Sequence, residues 1–224
     1  MLPLKDVNRA LTTPHVNRML IMVNVLVFVV MCLSDFGLID SGFTVDISDR
    51  FAMIPQDILD GERLYTLFTS VFLHAGFFHL FGNVLFLYIF GDNVEGAFGH
   101  VSYIGFYVVC GLVAGFVHIL SITNSGLYMM PVVGASGAIS GVLGAYLVLY
   151  PKAKVLTLIF PLILPLPAII FLGFWFLMQW FYVIFEGGTM IAYWAHIGGF
   201  VSGMILALVF GLKRKRAQET RFHL

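Results

Sequence analysis

The sequence predicts an all-α, polytopic membrane protein of six helices, and three observations predict it. Hydrophobic residues make up 60% of the 224 and charged residues 11%, with a mean hydropathy of +0.96, far from the balance of a soluble domain. Apolar runs at 19–35, 77–98, 101–122, 136–150, 165–186 and 193–212 suit a hydrocarbon layer roughly 30 Å thick. The basic residues sort to one side of those runs. Net charge is zero, so the balance calls for no nucleic acid.

The first run begins after Arg18 and continues into "SDFGLIDSG" rather than a small-residue cleavage site, which marks a signal anchor. Residues 1–18 then form a tail, 19–212 the membrane domain and 213–224 a second, basic tail. No fixed-period repeat divides the chain. The segment 36–76 carries Asp40, Asp46, Asp49, Asp57, Asp60 and Glu62, and amphipathic pieces such as "RFAMIPQDILDGERLYTLF" predict a first loop lying on the membrane interface. The second run opens "FFHLFGNVLF", with His79 and Asn83 one helical turn apart on one face, and ends near Asp92 and Glu95. Glu95 reads as a tether between a loop and a helix end. The third run has His118 near its outer end, the fourth opens at Ser136, and the sixth opens "YWAHIGGFVSG" around His196. The proline-rich stretch 154–166 reads either as a loop against the membrane or as an extension of the fifth run. Cys32 and Cys110 lie far apart inside apolar runs and read as small buried hydrophobes.

Orientation follows from the cations, which favour cytoplasmic loops. Lys5, Arg9, Arg18, Lys152, Lys154, Lys213, Arg214, Lys215, Arg216 and Arg221 fall on one face, and Arg50 and Arg63 on the other. Both termini are therefore expected in the cytoplasm. The second, fourth and sixth runs then all enter from the outer face. At 1.5 Å per residue, Asn83 lies about 9 Å and His196 about 5 Å below their helix starts. The fourth run spans only about 22 Å, which sinks Ser136 roughly 8 Å below the outer surface. Four polar side chains thus converge at one depth. Gly137, Gly141 and Ala145 on the fourth run, and Gly199 and Gly203 on the sixth, form small stripes that let helix backbones approach in lipid. Ser136 and His196 each sit just before such a stripe.

A serine hydroxyl becomes a nucleophile when a neutral imidazole takes its proton, so the meeting of Ser136 with His196 points to acyl transfer. After Glu95 the only acids are Glu186 and Glu219, and an ionised carboxylate at membrane depth is costly. A Ser–His dyad without a third, acidic member is expected. An oxyanion would form where the backbone amide of Ser136 opens a helix, and His79 and Asn83 stand ready as side-chain donors. Each residue also has a plain reading: Ser136 as a small packing residue, His79 and Asn83 as interhelical hydrogen-bonding groups, His196 as a cap. Their shared depth favours chemistry.

On these residues the chain resembles the rhomboid family of intramembrane serine proteases, in its prokaryotic six-span minimal form. The resemblance rests on "HAGFFHLFGN", "GDNVEG" with Glu95, "GASGAISG" and "AHIGG", and covers nearly everything beyond residue 60. It implies a six-transmembrane-helix rhomboid-like bundle with a membrane-associated first loop. It implies Ser136 as nucleophile and His196 as general base, His79 and Asn83 as oxyanion donors with the Ser136 amide, and structural roles for His74, Gly134, Gly137 and the other small residues near the site. Its substrates would be transmembrane proteins in the lipid bilayer of a cell membrane, cut near their outer ends without cofactor or metal. A gate at the phenylalanine-rich fifth run, with Phe171, Phe174, Trp175 and Phe176, is part of the same implication. Two departures stand out: Tyr65-Thr66 replaces a Trp-Arg pair of the first loop, and Ser140 replaces a tyrosine that packs on the histidine.

Rival classes lack their signatures. No histidine is followed by glutamate, as an H-E-x-x-H metalloprotease needs, and no pair of aspartates lies mid-run for an aspartyl intramembrane protease. A transporter would show charges near the midplane. An inactive relative that only binds membrane proteins would typically lack Ser136 or His196. Neither substrate identity nor oligomeric state follows from the sequence.

Overall fold

The computed structural model describes residues 1–224 except 9, 41, 123–124, 186–190 and 224. Arg9 and Glu186 lie outside the described residues, as do the side chains of 125 and 221–223, including Arg221.

Segments rich enough in apolar side chains to enter lipid leave their backbone no water to bond, so each closes its own hydrogen bonds as a helix. Long apolar helices are α1 (His15–Asp35), α5 (Phe77–Phe98), α6 (His100–Ser121), α8 (Ala168–Phe185) and α9 (Tyr193–Leu206), the last running through a π turn (Ala207–Gly211) into α10 (Leu212–His223). Five such rods among the described residues are long enough to cross a membrane. The sixth apolar helix, α7 (Ser136–Leu149), has 14 residues and a length of about 21 Å.

That short helix is the centre of the bundle, packed on α5, α6, α8 and α9 and buried almost throughout. It crosses α9 backbone to backbone. A Cβ on Gly199 would overlap the carbonyl of Gly137, one on Gly203 that of Gly141, and one on Gly144 that of Phe200. Hydrophobic force is weak between helices in lipid, so this close approach supplies the attraction through dispersion contacts.

Polar bonds pin the opposite end. Glu95, fully buried, accepts from the backbone N–H of Val16 at 3.0 Å and of Asn17 at 2.7 Å, and bonds His100 Nδ1. A carboxylate there meets the positive end of the α1 dipole. Arg214 donates to the carbonyl of Phe98 at 3.1 Å and Lys215 to that of Leu149 at 3.0 Å. The basic tail therefore caps the free carbonyls that end α5 and α7.

The first loop holds α2 (Phe43–Phe51), α3 (Pro55–Leu59), α4 (Thr66–Thr69) and a 3-10 turn (Ser70–Phe72). Met53, Ile58 and Leu67 bury themselves against Ile119 of α6, and Met53 pairs with Val132 through a β-bridge. At the Tyr65-Thr66 departure the tyrosine hydroxyl donates to the carbonyl of Arg50 at 2.9 Å. The guanidinium that holds this loop comes from Arg63 instead: it pairs with Asp57 at 2.8 Å and donates to the carbonyls of Asp49 and Ala52.

The stretch 154–166 is neither a loop nor part of the fifth helix. It forms a hairpin of β2 (Lys154–Ile159) and β3 (Leu162–Pro167), and β1 (Leu2–Asp6) completes an antiparallel sheet in the order β1-β2-β3. Pro3, Pro165 and Pro167 sit on the two edge strands, and the central strand "KVLTLI" has none, as the missing N–H of proline requires. The helical prediction holds for the membrane body, and the small sheet adds a structured element to the first tail.

Candidate active site

Ser136 is the first residue of α7, where no preceding helical turn consumes the backbone amides; the first amide bonded back along this turn is that of Ile139, to the carbonyl of Ala135 at 2.9 Å. Gly134 leads into it with φ +128°, a conformation that costs an L side chain dearly. A Cβ at Gly134 would also stand 2.7 Å from the His79 ring, so a glycine alone fits between His79 and Ser136. Its N–H donates to the carbonyl of Ser70 at 2.9 Å, fastening the turn to the first loop.

α9 delivers His196 in its first turn, and its Nε2 lies 2.8 Å from Ser136 Oγ. The glycine crossing sets this distance, because Gly199 and Gly137 fix how near the two helix starts come. The other ring nitrogen, Nδ1, lies 2.9 Å from Oε1 of Gln179 on α8. Among the described residues a neutral amide, not a carboxylate, serves there. Trp175 and Tyr193 lie against the imidazole, with ring centroids 6.0 and 6.2 Å away. Ser140, at the second departure, turns its hydroxyl inward to the carbonyl of Ser136 at 2.6 Å and leaves the ring to those aromatic neighbours.

Above Ser136 and His196 opens a cavity of about 720 Å³, lined among others by His79, Asn83, His118, Met130, Trp175 and Ile191. Asn83 is buried, and its amide nitrogen has no hydrogen-bond partner among the described residues. An orphaned donor costs ~1–3 kcal/mol where it is buried, so its presence in a cavity wall calls for an acceptor that arrives from outside. His74 is buried beside His79, ring centroids 5.1 Å apart. Burial, helped by the neighbouring imidazole, lowers its pKa to about 4, so it packs as a neutral ring.

The structure thus gathers Ser136, His196, His79 and Asn83 in one cavity, with Gly134, Gly137, Gly141, Gly199 and Gly203 in or beside the turns that hold them. Glu95 lies at the far end of α5, with α1 and His100. The sequence pattern does not single out Gln179, the one amide in the apolar "FWFLMQWFYV" of α8, which meets His196; His118, read from the sequence only as a polar residue near the end of its run, lines the cavity one turn inside the end of α6. Of the aromatic residues assigned to a gate, Trp175 lines the cavity, Phe171 is buried against Phe86 and Phe90, Phe176 stacks on Phe200, and Phe174 is half-exposed. Among the described residues no group of three His, Cys, Asp or Glu side chains is placed to hold a metal ion.

The chain is similar to RHOMBOID-like protein 12, mitochondrial, of Arabidopsis thaliana, at 31% identity over 161 residues, which is 66% of this chain and 46% of that protein. It is similar to RHOMBOID-like protein 1 of the same plant at 32% identity, covering 68% of this chain and 36% of that one. With Rhomboid protease GluP of Bacillus subtilis it shares 33% identity over 162 residues, 71% of this chain and 28% of that one. It spans less than half the length of these curated relatives. The family model of the Rhomboid domain matches residues 61–213. That stretch runs from the first loop to the basic turn after α9 and contains every residue lining the cavity, and on that extent the chain belongs to the rhomboid family.

Proposed function

We propose that this chain is an intramembrane serine endopeptidase that cuts transmembrane segments of membrane proteins near their outer ends, with Ser136 as nucleophile and His196 as general base. The observation that carries the reading is the 2.8 Å contact between His196 Nε2 and Ser136 Oγ beneath a cavity whose wall holds the unpartnered amide of Asn83. His196 takes the Ser136 proton as Oγ attacks the scissile carbonyl. The oxyanion is met by the Ser136 amide, Asn83 Nδ2 and His79, each donor contributing on the order of 10²-fold or more in rate. His196 then passes its proton to the leaving amine. A water admitted through the cavity repeats the sequence in reverse and frees the acyl group. Peptide groups within a helix are covered by their own hydrogen bonds, so the substrate must unwind locally before attack.

In this reading α1, α5, α6, α7, α8 and α9 make six crossings, with residues 1–18 and 213–224 on the cytoplasmic side. The ten-to-two distribution of cations supports that orientation. The test is cleavage of a model transmembrane substrate by the detergent-purified protein beside Ser136→Ala and His196→Ala variants of unchanged melting temperature. Loss of cleavage in both, with chelator inert, is the expected result; cleavage surviving in Ser136→Ala overturns the mechanism.

A further inference from the structure

The bond from His196 to α8 goes beyond the pair of reacting side chains. Gln179 is buried, 6% exposed, and makes two contacts: Oε1 lies 2.9 Å from His196 Nδ1, and its amide nitrogen donates to the carbonyl of Trp175, one turn back, at 3.1 Å. The second contact settles the first. A carbonyl only accepts, so the nitrogen of the amide must face Trp175 and the oxygen must face the imidazole. Nδ1 therefore carries the hydrogen, and Nε2 turns its lone pair to Ser136 Oγ. One direction runs through the series: Ser136 O–H to Nε2, Nδ1–H to Gln179, Gln179 N–H to the Trp175 carbonyl.

On the serine-protease reading above, we propose that Gln179 is the positioning residue of His196. It holds the tautomer and ring orientation the base needs, and it ties that alignment to the seating of α8 against α9. An acid in this place would also stabilise the imidazolium, at the cost of burying a charge in lipid. The amide keeps the orientation without that cost. Its carrier packs on α9 through aromatic contacts on either side of the bond: Phe176 on Phe200 at 4.5 Å, Tyr182 on Tyr193 at 5.0 Å and Trp180 on Trp194 at 5.4 Å between ring centroids. A displacement of α8 by about 1 Å takes the Gln179 contact out of hydrogen-bond range. Chemistry then resumes only when α8 has settled back around an admitted substrate.

The test uses the full chain in proteoliposomes, with Gln179→Met as an apolar side chain of similar length and Gln179→Glu as one that keeps the acceptor. Two readouts are taken: kcat and KM for a transmembrane substrate, and the rate of labelling by a small fluorophosphonate. In that labelling Ser136 Oγ bonds to phosphorus, fluoride leaves, and His196 receives the proton. The probe requires no substrate helix to enter, so it reports the base directly. Gln179→Met is expected to lower kcat and the labelling rate together by about 10- to 100-fold, part of the ~10²–10⁴ that general-base catalysis supplies. KM and melting temperature stay near wild type, and Gln179→Glu recovers part of the rate. Phe176→Ala, which loosens α8 from Phe200, is expected to slow labelling in the wild type and to have little further effect in Gln179→Met. Labelling of Gln179→Met at the wild-type rate overturns the positioning role. Additive effects of Phe176→Ala overturn its link to α8. Ser136→Ala, run in parallel, separates either failure from failure of the protease reading itself.

Discussion

At the residue scale, Asn83 separates function from stability. Its amide nitrogen is buried without a partner among the described residues, so folding gains nothing from that donor and loses its hydration. Asn83→Leu is expected to cut kcat by about 10²-fold or more, while the melting temperature in detergent holds or rises. A fall in stability parallel to the fall in rate would show that the donor is bonded in the resting protein. Such residues were legible because polarity is rare in these helices: His79, Asn83, Ser136 and His196 stood out against apolar neighbours at one computed depth. Gln179 carried the same signal. It lies on the helix that enters from the opposite face, and an amide rather than an acid fills its place, since an amide serves orientation at lower burial cost.

At the scale of elements, the α7–α9 crossing depends on missing side chains. Gly199→Ala would drive a Cβ into the Gly137 carbonyl, and the two helices must part to make room. Overpacking of this kind costs about 1–3 kcal/mol, and the same separation stretches the 2.8 Å contact between His196 and Ser136. Both stability and cleavage should fall. Gly173→Ala on α8 meets nothing within 4 Å and should be neutral or stabilise by up to ~1 kcal/mol. Chemical denaturation and cleavage of the two variants side by side check the contrast. Five of the six helices are readable to within about four residues, since a run of apolar side chains in lipid has only one way to satisfy its backbone, while the sixth runs on through a π turn into the basic α10. The hairpin is not readable in this way. "KVLTLIFPLILPLP" is apolar throughout, so periodicity cannot tell strand from helix, and the partner that completes the sheet lies at the other end of the chain.

At the scale of the whole molecule, α5 and α8 meet at the edge of the cavity, which Phe86 and Trp175 line. Phe86 lies 6.4 Å from both Phe171 and Trp175, centroid to centroid, and these ring contacts are the seam between the two helices. Trp175 also packs on His196, so replacing it would mix access with chemistry. Phe86→Val loosens the seam without touching the imidazole. An aromatic pair contributes ~0.5–1.5 kcal/mol and Phe86 makes two such pairs across the seam, so kcat/KM for a helical substrate should rise by at most about 10²-fold, with fluorophosphonate labelling of Ser136 unchanged. A rise in both would place the effect in the chemistry instead of the entrance.

The pairing of β1 with β2 also sets a timetable. Asp6 stands opposite Val155 and Leu2 opposite Leu158, so the earliest part of the chain waits for roughly 150 residues to be synthesised before its strand has a neighbour, some 8–30 s at ~5–20 residues per second. Over that interval α1, α5, α6 and α7 are all synthesised ahead of β2. The sheet can therefore close only after α7 has been made, with α8 and α9 still to follow, and a nascent chain arrested before residue 155 should leave residues 2–6 open to protease.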